Sequence, residues 1–330
     1  MNTYYRAMTF LLAWVLFASP IITDAQERQV RVGHHRAWNC VPLILGITEG
    51  HFQRAGVTVV EKTFNNPADI IQAIATGDLD AGVSPSGMLF TALQRGVNVK
   101  GVALAQGGQF PPVTFMVRTD SGINGSVDLR GKTVAIAGFG GTTDLMLRYW
   151  LTRAGIDPKA DLKLTFVPYH LTLPSLINRQ VAAAPIDPTL SIRARQEFPG
   201  QVKKLFDYED ITKAVLGNDH VNGLILNFGV AFVERDRETA VRFMEGYLHA
   251  TRAIHANPKK ALAEWSVASK NEVIRSLEAL PSMPGDGKIY LDAFQFEADL
   301  ALKFGYIKDP VDIRKAVDHS LLDEAARRVK

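Results

Sequence analysis

Twice along this chain an apolar strand runs into a turn of glycine or polar residues and then into a helix with one buried stripe. That repeated order limits the architecture more than any single motif does. In the first unit "VRVG" (30–33) leads through "HHRAWN" into an apolar helical run from Val41 to about Phe52, and Gly56 introduces the strand "VTVVEKTF". The helix "NPADIIQAIATG" carries Ile70, Ile71 and Ile74 on one face and stops at Gly77. The short strand "DAGVS" then meets "PSGMLFTALQRG", with Met88, Leu89, Ala92 and Leu93 as its stripe. The second unit starts at "DLRGKTVAIAG": a strand over 133–137, a helix from about 143 to 154, the strand "LTFVPY" (164–169), a helix near 172–179 and the strand "VAAAPI". Such alternation predicts α/β structure, mostly parallel sheets covered by helices.

Two long apolar segments of strand character bracket the second unit, "VTFMVRTDSG" (113–122) and "GLILNFGVAFVERD" (223–236), and they read as crossings that leave the first domain and return to it. From Asp236 onward the pattern is mostly helical, with Asp236 as an N-cap, Val241, Met244 and Leu248 on one face, and Pro258 ending the segment. These helices are expected to pack on the first domain. A chain of 330 residues is long enough for two domains. The expected division is 27–118 plus 225–330 as one lobe and 119–224 as the other.

Arg6, the apolar run from Met8 to Phe17 and the pattern Thr23-Asp24-Ala25 mark residues 1–25 as a secretory signal cut after Ala25. The run is too short for a membrane span, which takes roughly 20 residues. Cleavage removes Arg6 and Asp24, one charge of each sign, so the formal net charge stays at +3. That balance is too weak to imply nucleic acid, and no basic run or aromatic-interleaved basic stripe accompanies it. The single cysteine, Cys40, excludes an intramolecular disulfide and any multi-cysteine metal or redox cluster. It also lies well past the signal, unlike a lipid-attachment cysteine, and is expected to be a buried, inert thiol.

The strand at 133–137 runs into "GFGGTTD", three glycines within four residues ahead of a helix. Glycines let backbone N–H groups approach a ligand, and the free N–H groups and dipole of a helix start favour negative charge. Gly140, Gly141, Thr142 and Thr143 therefore read as an anion cradle, with a plain structural corner as the alternative. A dinucleotide site needs G-x-G-x-x-G and an acidic residue about 20 positions on. Here Thr143 stands at the third glycine, the next strand ends in Pro168-Tyr169-His170, and no G-x-x-x-x-G-K-[ST] loop occurs. Ligands of doubly wound sheets sit beyond the carboxyl ends of the strands. That rule adds His34, His35, Arg36, Trp38 and Asn39, then Ser84 and Ser86, then Gly108 and Phe110 of "QGGQFPP". Each has a plainer reading: His34 and His35 as solvated groups, Ser84 and Ser86 as helix caps. No G-x-S-x-G elbow, H-E-x-x-H motif or nucleophile signature is present, and His34-His35 with distant carboxylates is too loose for a metal site. Binding without conversion is predicted, with no cofactor; the rival is an α/β enzyme using His34 or His35 as a general base.

The order of segments resembles the periplasmic substrate-binding proteins of ABC transporters, in particular the group that captures nitrate, aliphatic sulfonates, taurine, aromatic carboxylates or thiamine-precursor pyrimidines. The resemblance spans essentially the whole mature chain. It is carried by "LGITEGHFQRAGVTVV", "AIATGDLDAGVSPSG", "DLRGKTVAIAGFGGTTDLMLRYWLTRAGIDP" and "LPSLINRQVAAAPIDP", the third being the most specific. It implies a two-lobed periplasmic-binding-protein fold of type II with two hinge crossings. It further implies a monomer in the periplasm that closes on a small-molecule ligand and delivers it to an inner-membrane permease. The chain departs from the family pattern where Arg179-Gln180 replaces the usual glycine and Ala183 the usual aspartate, leaving Asp187 as the acidic residue before proline. The pyrimidine-synthesising enzymes of this fold carry a cysteine-rich motif that a one-cysteine chain lacks. Arg36, the histidines and the helix start at Thr142-Thr143 favour an anion, while Trp38, Phe110, Phe139 and Tyr169 suit a planar or apolar body. Asp187, if it faces the cleft, suits an amine. The expected ligand is a small organic anion, a sulfonate or carboxylate; a zwitterion such as taurine and a precursor pyrimidine are the alternatives.

Overall fold

The computed structural model describes residues 28–34, 35 by its backbone, 40–107, 113–277, 280 and 283–329. The expected signal at 1–25 and the candidate residues Arg36, Trp38, Asn39, Gly108 and Phe110 lie outside the described residues.

The chain begins with β1 (Gln29–His35), α1 (Val41–Thr48), α2 (His51–Arg54), β2 (Thr58–Phe64), α3 (Pro67–Ala75), β3 (Ala81–Pro85), α4 (Ser86–Gln94) and β4 (Val99–Gly107). The apolar helical run after β1 is two helices rather than one, because Gly50 takes φ +72° between α1 and α2. Helix α3 forms where the sequence places it: Asn66 caps it by accepting from the Ala68 N–H at 3.1 Å, and Ile70, Ile71 and Ile74 are buried. Each such isoleucine contributes about 1.5–3 kcal/mol on leaving water.

The second run comprises β5 (Thr114–Arg118), β6 (Thr133–Ile136), α5 (Thr142–Arg153), β7 (Lys163–Phe166), α6 (Tyr169–Ile177), β8 (Ala183–Ile186), α7 (Pro188–Glu197), β9 (Val202–Asp207) and α8 (Tyr208–Leu216). Trp150 of α5 stacks on Phe206 at 4.3 Å, and Phe206 on Phe115 at 4.8 Å, which ties the helix to β5 and β9. The chain then returns through β10 (Asn222–Gly229), α9 (Val230–Arg235), α10 (Arg237–Ala256), α11 (Pro258–Ala268), α12 (Leu291–Lys303), α13 (Ile313–Ala316) and α14 (Ser320–Arg328). Pro258 starts α11 at its first turn, where a missing N–H costs nothing, and Asn257 caps it.

Two five-stranded sheets result, in the orders β2-β1-β3-β10-β4 and β7-β6-β8-β5-β9. In each, four strands run one way and the fifth is reversed: β10 is antiparallel to β3 and β4, and β5 to β8 and β9. The reversed strands are those entered by the two crossings. The segment 113–122, read from sequence as a crossing, contributes β5 to the second sheet and then turns at Thr119–Ser121. The segment 223–236 is not one strand but β10 followed by α9. Its apolar character is continuous because β10 is buried on both faces and Phe232 of α9 packs into the same core.

This topology collects the chemistry at two edges. The carboxyl ends of β1, β3 and β4 and the start of β10 share one edge of the first sheet, and the carboxyl ends of β6, β7, β8 and β9 and the start of β5 share one edge of the second.

Candidate binding cleft

Between these edges lies a cavity of about 60 Å³. Pro85, Met88, Gln106, Gly107 and Leu224 line it from the first sheet; Gly138, Gly141, Thr142, Thr143, Tyr169, Tyr208 and Glu209 line it from the second. The start of α5 faces this space. Its N-cap is Gly141 with no side-chain cap, so the first-turn N–H groups of Thr142 and Thr143 keep the free donors and positive end of the dipole that every helix start presents.

Asp144 holds the glycine turn in shape from behind. Its carboxylate accepts from the Gly140 N–H at 2.9 Å, from Arg148 Nε at 2.7 Å and from the Tyr306 hydroxyl. The Arg148 guanidinium also lies 5.4 Å from the centre of the Tyr306 ring. The negative charge nearest the helix start is therefore turned away from the cavity and paired. Gly140 takes φ +70°, and a Cβ there would also come within 3.1 Å of the Tyr306 ring, so this position favours glycine. Phe139 is 52% exposed and is not part of the cavity wall.

Two wall residues escaped the sequence reading. Tyr208 is buried, yet among the described residues its hydroxyl has no hydrogen-bond partner of good geometry, although the Thr143 side chain is close by. Burial pushes this hydroxyl well above the usual tyrosine value, so it stays a donor. Glu209 Oε1 is likewise buried and unpartnered. Burial raises its carboxyl above the ordinary range against the pull of Lys213, 3.3 Å from the other oxygen. Both residues follow β9, a strand written "VKKLFD" whose lysines conceal its alternation.

The remaining candidates fall elsewhere. Ser86 is buried directly behind Thr142, the two hydroxyls 3.0 Å apart. Ser84 is buried under the first sheet's edge and accepts from Asn227 Nδ2 at 2.9 Å; neither serine caps a helix. His34 and Asp187 line a second, wider space of about 630 Å³, together with Glu61, Tyr169, His170 and Arg193. His34 Nε2 lies 3.3 Å from Glu61 there. Asp187 is the N-cap of α7, accepting from the Leu190 N–H at 2.9 Å and the Thr189 hydroxyl at 2.7 Å, and burial pushes its carboxyl up to about 6. Tyr169 borders both spaces. Cys40 is wholly buried and its thiol is pushed up to about 12, as an inert thiol should be. Among the described residues no group of three His, Cys, Asp or Glu side chains is placed to hold a metal ion, and no helix is long and apolar enough to cross a membrane.

The profile of the NMT1/THI5-like family matches residues 37–261. The chain belongs to this family. A relative, the nitrate/nitrite-binding protein NrtA of Nostoc sp. (strain PCC 7120), is 26% identical over 161 residues, 43% of this chain and 37% of that protein. The match thus spans little more than a third of that relative's length. Among solved structures, the periplasmic nitrate-binding protein NrtA of Synechocystis PCC 6803 superposes with a TM-score of 0.74 at 14% identity, covering 92% of this chain and 90% of that one. The periplasmic aliphatic sulphonate-binding protein SsuA of Escherichia coli does so with a TM-score of 0.69 at 17% identity, covering 88% and 92%. This NMT1/THI5-like chain therefore has the two-lobed periplasmic-binding-protein fold that its segment order implied. Both named structures are binding proteins rather than enzymes, in line with the sequence reading.

Proposed function

We propose that the chain is the solute-binding component of an ABC importer, secreted by its N-terminal signal, which captures a small oxyanion between two lobes and hands it to an inner-membrane permease. The lobes follow the division read from the sequence, 27–118 plus 225–330 and 119–224, except that β5 (Thr114–Arg118) joins the second and the start of β10 at Asn222 the first, because each hydrogen-bonds within that sheet. The observation that carries this reading is the uncapped start of α5 facing a cavity in which the Tyr208 hydroxyl lacks a partner. Unsatisfied donors converging on one space are what an oxyanion satisfies. The polar part of this wall is made of backbone N–H groups and hydroxyls, donors that suit the oxygens of nitrate or of a sulfonate head. Relatives and neighbours named for nitrate and sulphonate binding support the same class.

A second reading draws on Glu209. Its buried, unpartnered oxygen at the same wall suits an ammonium group, so an aminosulfonate such as taurine fits both ends of the cavity.

Thermal-shift measurements on the mature protein with nitrate, methanesulfonate, taurine and a pyrimidine test the class, since a ligand at about 100 times its Kd adds roughly 2.7 kcal/mol. Gly141→Leu is the decisive variant. A Cβ at Gly141 meets only ordinary contacts, 3.4 Å to the Gly138 oxygen and 3.5 Å to Pro85, so the fold tolerates it while the rest of the side chain fills the cavity. Loss of binding is expected, and parental affinity in this variant overturns the α5 site. Glu209→Gln should weaken taurine and spare methanesulfonate if the second reading is right.

A further inference from the structure

We infer that Glu297 of α12, which does not line the cavity, is held as a neutral acid and acts as a positioning residue that readies Thr142 for the ligand. This rests on the reading of the α5 start as the oxyanion site.

Glu297 is fully buried, and its Oε2 is hydrogen-bonded to Ser86 Oγ, with Thr142 Oγ1 at 3.4 Å. Ser86 Oγ also lies 2.5 Å from the Asn222 carbonyl oxygen and 3.0 Å from Thr142 Oγ1. Four elements meet in this knot: α4 and β10 of the first sheet, α5 of the second, and α12. Asn222 is in turn fixed by its side chain, which donates to the Tyr290 carbonyl at 2.8 Å and accepts from the Tyr290 N–H at 3.1 Å.

The proton count decides the charge of the acid. A hydroxyl has one proton, and a backbone carbonyl can only accept. Two hydroxyls reach the Asn222 carbonyl, Ser86 at 2.5 Å and Thr142 at 3.3 Å; the shorter contact takes the Ser86 proton, so the contact between Ser86 and Glu297 draws its proton from the carboxyl. Ser86 then accepts from Glu297 and donates to Asn222, and Thr142, whose contacts of 3.3 Å to the Asn222 carbonyl and 3.4 Å to Glu297 are long, can turn its proton toward a ligand in the cavity. An ionised Glu297 would instead attract the hydroxyl protons of Ser86 and Thr142. It would leave the Asn222 carbonyl 2.5 Å from an oxygen whose proton points elsewhere, with only the longer Thr142 contact in compensation, and put a negative charge behind a helix start that must hold an anion.

The surroundings agree. From α5 comes Asp144, already paired with Arg148 at 2.7 Å; from α8 come Tyr208, kept protonated, and Glu209, paired with Lys213. Tyr306 is bonded to Asp144, and Asp312, Arg314 and Lys315 at α13 are exposed. Helix α4 carries no titratable side chain, and on α12 itself Asp292 holds His220 at 2.8 Å while Asp299 and Lys303 face solvent. Among the described residues no cation is paired with Glu297, and burial pushes its carboxyl up to about 8, outweighing the opposing pull of its hydrogen-bonding contacts with Ser86, Thr142 and the Asn222 backbone.

The test begins without ligand. A carboxyl raised in the folded state contributes stability that is present below its unfolded value and is lost as pH rises toward about 8. The melting temperature of the parent should therefore fall relative to that of Glu297→Gln between about pH 5 and pH 8; parallel curves overturn the neutral acid. Methanesulfonate, which does not titrate in this range, should bind the parent about tenfold more weakly at about pH 9 than at about pH 6, and Glu297→Gln equally well at both. An equal loss in parent and variant overturns the positioning role. If methanesulfonate binds at no pH, the α5 site fails on its own, and the melting curves still decide Glu297. Should Glu297→Gln not fold, infrared difference spectra of the parent must show a buried protonated carboxyl lost near pH 8, and absence of that band overturns the inference.

Discussion

A buried hydroxyl without a partner costs about 1–3 kcal/mol, and Tyr208 carries one at the wall of the cavity. That cost gives Tyr208→Phe opposite effects in two measurements. Chemical denaturation of the ligand-free protein should show stability unchanged or raised by about 1 kcal/mol, because an unsatisfied group is removed. Calorimetric titration with methanesulfonate should show affinity about tenfold lower, about 1.4 kcal/mol, because the ligand loses a donor. A variant that is destabilised and binds normally would mean that the hydroxyl serves the fold alone. The sequence offered little sign of this residue: tyrosine at a strand-to-helix corner is common, and only the cavity distinguishes it. Thr142 and Thr143 were legible because glycines and a helix start have a local physical cause. Asp187 was legible as an acidic residue before proline, yet its first task is to cap α7.

Elements followed local rules where those rules have short range. Asp236 caps α10, accepting from the Thr239 N–H at 3.0 Å and the Thr239 hydroxyl at 2.6 Å. Burial opposes its charge, but those two bonds and the nearby Arg28 and Arg235 outweigh it and hold the carboxyl below the usual range. A depressed carboxyl contributes stability above its unfolded value and loses it as pH falls through the folded value. Asp236→Ala should therefore cost about 1 kcal/mol near neutral pH, and the gap should narrow below about pH 4. Denaturation at two pH values checks this, and a constant gap contradicts it. The crossings were misread in detail because a strand buried on both faces and the helix after it are equally apolar. Hydropathy alone could not mark Gly229 as the boundary between β10 and α9.

Across the whole molecule the two lobes touch where Gly87 of α4 meets the glycine turn: a Cβ there would run into the Gly140 carbonyl oxygen, with Leu145 Cδ1 3.0 Å away. Backbone cannot step aside as a side chain can. Gly87→Ala should therefore hold the lobes apart, while in the open state alanine suits a helix better by up to about 1 kcal/mol. Small-angle scattering of the parent with methanesulfonate should show a smaller radius of gyration than without it. The variant should show no such change and at least tenfold weaker binding, with native circular dichroism; compaction equal to the parent's would refute the contact. By itself the sequence determined whatever has a local cause: the helical stripes, the glycine turn, the caps, the strand–turn–helix order and hence the fold. Only the tertiary structure decided which strand ends share an edge, because the order β2-β1-β3-β10-β4 is set by hydrogen bonds between segments far apart in the chain. Ser86 meets Glu297 across 211 residues, and no periodicity or motif reaches that far.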